Sequence, residues 1–178
     1  MLRSLVGSEM CIRDSLESLG IDSTTICVNI TKSWFNVNTN EARNPIHDHA
    51  ESHYSMTYYP HIKKGFEKNL TFYDKAVSRN EPYMSFLQNN VVKCNTFNAR
   101  SVEFTPQVGD IFVFPSWMEH ETGNTSDNLD VSTEGQSFFS HEELEQSRIC
   151  VGCDAILTRK NTFKYDHLLT PINLWKRY

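Results

Sequence analysis

From Thr25 to Asn36, β-branched and aromatic residues partly alternate with polar ones, and a polar, turn-rich stretch from Val37 to Pro45 follows. That alternation predicts a strand with one buried face, then a loop. Ile46 to Tyr59 predicts two strand pieces around a short turn, with Pro60 and Gly65 as punctuation beyond. Leu70–Tyr73 and Val102–Thr105 predict short strands between turn residues. Gln107–Asp110 is a turn feeding Ile111–Phe114, an apolar run halted by Pro115 and expected to be a strand buried on both faces. Glu121 to Gln146 is polar and acidic, a surface excursion in which Ser140 is placed to cap a short helix. Arg148 to Ile156 is again strand-like, and the tail to Tyr178 holds one apolar segment, Leu168 to Trp175. Strands that recur at short intervals with few helical patterns predict an all-β or β-rich sandwich or barrel.

A chain of 178 residues fits one domain. Its 17 basic and 22 acidic residues leave a net charge of -5 with no long run of either sign, which gives no electrostatic footprint for nucleic acid or anionic lipid. A small or soluble partner is expected. The five cysteines, an odd number without regular spacing, favour reduced thiols in a cytoplasm over a secreted disulfide scaffold. No stretch approaches the roughly 20 apolar residues of a membrane span, and no signal-peptide pattern opens the chain. Three glycosylation sequons, at Asn29, Asn69 and Asn124, are therefore expected to be unused. Residues 1–15 resemble a translated linker of the kind found at the ends of reading frames assembled from environmental DNA. The domain is expected to span 16–178 and to start short of its natural N-terminus.

Residues two apart in a strand share a face, so His47 and His49 would project two imidazoles into one space, with Asp48 facing away. Two solvated loop histidines are the plainer alternative. His120, just after the apolar run, is placed to return a third imidazole to the same point, although His53, His61, His141 and His167 compete on spacing alone. Cys150 and Cys153 have Cys-x-x-Cys spacing, but without a second pair no zinc ribbon can form, and two buried thiols are expected rather than a redox pair. The acidic stretch Asp127 to Glu145 could cover a site or simply coat the surface.

The segments NPIHDH (44–49), SMTYY (55–59), LTFYD (70–74), GDIFVFPSWMEH (109–120) and RICV (148–151) occur in that order. Together they resemble the 2-oxoglutarate and iron(II) oxygenases of marine bacteria and their phages, relatives of the prolyl hydroxylases. The resemblance covers most of 31–155 and implies a double-stranded β-helix, or jelly roll, acting in the cytoplasm of a bacterium or infected host. It implies iron(II) held by His47, His49 and His120, with His49 where most relatives place a carboxylate; Asp48 would serve instead only if the strand bulged, and Glu51 only if the next turn folded back. It implies that Arg148 and Tyr59 bind the far carboxylate of 2-oxoglutarate, with residues 124–147 inserted between the distal histidine and that arginine. A surface arginine and a core tyrosine remain the plainer alternatives for these two residues. The implied reaction converts 2-oxoglutarate and O2 to succinate and CO2 while hydroxylating an unidentified substrate. A cupin-like jelly roll that binds metal or carbohydrate without oxygenase activity is the competing reading.

Overall fold

The computed structural model describes residues 2–38, 43–73, 99–123, 139–160, 169 and 171–175. Asp74, Cys94, Asn124 and His167, with most of the acidic excursion, lie outside the described residues. Helix α1 (Leu2–Ser18) leads through a short 3-10 turn into strand β1 (Ile26–Asn38), followed by β2 (Asn44–His47), β3 (Tyr54–Ile62), β4 (Leu70–Tyr73), β5 (Ser101–Phe104), β6 (Ile111–Pro115) and β7 (His120–Thr122). Helix α2 (His141–Glu145) and β8 (Arg148–Arg159) complete the regular structure, apart from a 3-10 turn at Ile172–Leu174.

The strands form two four-stranded sheets, ordered β1-β8-β3-β6 and β2-β7-β4-β5, with every pairing antiparallel. This is the double-stranded β-helix expected. The long strands β1 and β8 pair from Ile26 opposite Arg159 to Asn38 opposite Arg148, with a register shift between Ile30 and Lys32. Because side chains alternate along β8, Arg148, Cys150, Gly152 and Asp154 share one face, while Cys153, Ala155 and Leu157 share the other.

Two apolar clusters follow from that alternation. One gathers Ile26, Tyr54, Ala155 and Leu157 under Ile12 and Leu16 of α1. The other packs Leu70 and Phe72 of β4 against Phe114 of β6, joined by Phe112 and Met118. The segment set apart as linker thus reaches the sheet: Ile12 is buried, and the Arg13 guanidinium donates to the Ser23 carbonyl at 2.6 Å.

The Ile111–Phe114 run is a strand but is not buried on both faces. Ile111 is 41% exposed and only Phe114 is fully buried, because β6 is the edge of its sheet. Pro60 sits inside β3, tolerated where the β3–β8 register slips between Tyr58 and His61. There the Tyr59 N–H donates instead to the Asp110 carbonyl, and Gly109, at φ 98°, returns its own N–H to the Tyr59 carbonyl at 2.8 Å. Helix α2 begins as expected, with Ser140 and Glu143 forming a reciprocal capping box. Among the described residues no helix is long and apolar enough to cross a membrane.

Candidate metal centre

His47 ends β2 and lies opposite His120, which opens β7. His49 is past the end of the strand. Its backbone N–H donates to the Ser116 carbonyl at 2.8 Å, so the convergence anticipated from strand alternation is achieved by a loop tied to the turn after β6. The ring centres are 4.3 Å apart for His47 and His120, 5.2 Å for His49 and His120, and 5.3 Å for His47 and His49. One potential ligand atom from each lies within 4.8 Å of the other two, a grouping that could hold a metal ion.

Each imidazole is held from behind. The Nδ1 of His47 meets the Pro45 carbonyl at 2.7 Å, that of His120 the Met118 carbonyl at 3.0 Å, and that of His49 the Asp154 carboxylate at 2.8 Å. These oxygens only accept, so each Nδ1 turns a hydrogen toward its oxygen, which leaves Nε2 as the atom of each ring available to a ligand. The His49 Nε2 is buried without any hydrogen-bond partner. Burial pushes the His120 imidazole down to about 4, with the neighbouring His47 and His49 adding to the effect, so it is neutral at pH 7. Imidazole ligands suit iron, zinc, copper or nickel. Asp48 is exposed outside this cluster, and Glu51 is exposed beside Lys32 at 3.5 Å.

The rings face an inner hollow of about 40 Å³, which Tyr59, Leu70 and Cys150 help to line. His47 and His49 also border an outer cleft of about 570 Å³ flanked by Lys32, Trp34, Asp48 and Glu51. Trp34 lines both spaces and stacks on His49 with ring centres 5.5 Å apart. Arg148 is buried behind Tyr59, its guanidinium carbon 5.8 Å from the ring centre. It donates to the Lys68 carbonyl at 3.0 Å, its Nε has no partner, and no described carboxylate pairs with it. Burial holds the guanidinium below its usual value, and burial likewise raises the Tyr59 phenol to about 12. Tyr59 is therefore a hydrogen-bond donor at any physiological pH.

The other described histidines do different work. His53 Nδ1 accepts from the Leu157 N–H, His61 meets the Glu145 carbonyl, and His141 pairs with Glu145 on the surface. Cys150 and Cys153 are free, buried thiols on opposite faces of β8. Sequence reasoning missed Asp154 and its partners Ser55 and Ser116. An acidic residue in the middle of the otherwise apolar β8 was the available signal.

The fold is thus a jelly roll in which three imidazoles come together as a group that could hold a metal ion. Residues 32–133 match the model of the family described as "Putative 2OG-Fe(II) oxygenase", and the chain belongs to that family. It is an enzyme of the dioxygenase type, and the family's chemistry employs Fe(II) and 2-oxoglutarate. The matched span contains His47, His49, Tyr59 and His120 and ends before Arg148 and Asp154. No curated protein matches the chain.

Proposed function

We propose that the chain is an Fe(II)- and 2-oxoglutarate-dependent dioxygenase in which His47, His49 and His120 hold the metal and Arg148 and Tyr59 receive the far carboxylate of the cosubstrate. The buried, unpartnered Nε2 of His49 carries the reading, because a polar atom left bare in this way costs about 1–3 kcal/mol unless something binds it. The residues fit the group: three imidazoles cluster on one side, and a buried guanidinium with no acidic partner among the described residues lies beyond Tyr59. When bound, iron(II) would supply O2 activation coupled to decarboxylation of 2-oxoglutarate, giving succinate, CO2 and a hydroxylated substrate.

The protein's own part is to position and shield. The Pro45, Met118 and Asp154 oxygens fix the three rings in one tautomer. Arg148 would present its fork to a carboxylate, with the Tyr59 hydroxyl as a second donor. Leu70 and Phe114 present apolar surface to the hollow and limit water there. The substrate is unidentified, and the outer cleft offers it both an aromatic face, Trp34, and charged groups, Lys32, Asp48 and Glu51.

Under anaerobic conditions, Fe(II) with 2-oxoglutarate should produce a weak visible charge-transfer band, absent in His120→Ala. A folded wild type without that band removes the oxygenase reading. One observation favours the competing, cupin-like reading: a hollow of about 40 Å³ holds about three waters and must widen to seat a five-carbon dicarboxylate. That reading predicts metal binding indifferent to 2-oxoglutarate. The oxygenase reading predicts that Arg148→Gln loses the 2-oxoglutarate response while metal affinity stays within a few-fold, both measurable by calorimetry.

A further inference from the structure

Asp154 is a carboxylate in the middle of β8 and only 2% exposed. Its Oδ1 accepts from His49 Nδ1 at 2.8 Å and from the Ser55 hydroxyl at 2.8 Å, and Ser55 is in turn 2.9 Å from the buried Ser116 hydroxyl. No lysine or arginine pairs with it among the described residues; His49 is its one ionisable partner. Burying a carboxylate costs several kcal/mol unless a positive charge compensates it. Two places next to Asp154 could carry such a charge: the His49 ring itself, and a cation held by the three histidines that ring belongs to.

We infer that Asp154 is the positioning residue of the metal centre, fixing the orientation and tautomer of His49 and supplying through that imidazole the negative charge that a three-histidine ligand set lacks. The inference rests on the reading of His47, His49 and His120 as ligands. A set of two histidines and one carboxylate puts an anion directly on the metal. Here the anion stands one ring further out, where a carboxylate hydrogen-bonded to a ligating imidazole makes the ring a stronger donor. Ser55 and Ser116 hold the carboxylate in line, and Trp34 stacks on His49, so the ring has little freedom to turn. His47 and His120 rest on uncharged carbonyls, so among the described residues Asp154 is the carboxylate bonded to a ring of the trio, that of His49.

The probe is Co(II), titrated anaerobically and followed by its ligand-field absorption. In wild type the spectrum should report a nitrogen-rich site, and His120→Ala should abolish it; unchanged binding in His120→Ala would overturn the ligand assignment itself. With that assignment intact, Asp154→Asn should weaken Co(II) roughly 10- to 100-fold. In a His49→Ala background the same change should add less than about threefold, because Asp154 acts through His49. Wild-type affinity in Asp154→Asn, or an equal loss in both backgrounds, overturns the inference. Should Asp154→Asn not fold, the wild type still decides. Nitrogen-15 spectra of the Zn(II)-loaded protein should place the His49 proton on Nδ1, and a proton on Nε2 overturns the proposal.

Discussion

At the scale of single residues, the centre is a matter of which nitrogen carries a proton. His120 is pushed down to about 4 by burial, against about 6.5 in an unfolded chain. A base whose folded pKa is depressed binds fewer protons folded than unfolded between those two values. The stability tied to its neutral form is therefore complete above pH 6.5 and is lost as pH falls towards 4. The metal-free protein should accordingly melt at progressively lower temperature over that window. His120→Gln should flatten this part of the profile relative to wild type, measured by thermal melts at stepped pH, and an unchanged slope would mean that the ring is already hydrated.

At the scale of elements, β8 connects the parts of the site. One of its faces carries, in order, Arg148, Cys150, Gly152 and Asp154, so a single strand spans from the buried guanidinium to the carboxylate behind His49. Gly152 is required by what lies over it: a Cβ there would overlap the indole of Trp34, its register partner on β1. Gly152→Ala must push Trp34 off the strand and out of its stack with His49. The expected cost is about 1–3 kcal/mol, read as a fall in melting temperature, and a Trp34→Leu change in the same chain should recover part of it. Purely additive losses would show that the indole does not bear on Gly152.

At the scale of the whole molecule, two buried ionisable groups have no lysine, arginine or carboxylate counter-ion among the described residues, Asp154 beside the imidazoles and Arg148 behind Tyr59. An anion at the metal end and a cation at the far end suit the pair expected in this family, a metal ion and a dicarboxylate. Helix α1 bears on the same body from outside, since Ile12 and Leu16 cover Ile26, Tyr54, Ala155 and Leu157, and the last two lie on the strand that carries Asp154. We expect deletion of residues 1–15 to remove roughly 1.5–3 kcal/mol with Ile12 alone, seen as a melting temperature lower by several degrees. An unchanged melting temperature would place the segment outside the fold.

Much of this protein was legible in the amino-acid order because strand formation and its interruptions are local. Partly alternating β-branched and aromatic residues marked β1, short strand-like runs marked β4 and β8, and Ser140 as an N-cap marked α2. The order of the motifs pointed to the family, and the spacing of His47, His49 and His120 raised the metal centre, because histidines so placed are few and chemically distinctive. Side-chain environments across 100 residues of chain are another matter. That β6 is an edge strand, that Trp34 closes over Gly152, and that Asp154 stands behind His49 with Ser55 all depend on how the two sheets fold onto each other. Local pattern chose the strands, and only their packing decided which charges would be buried together.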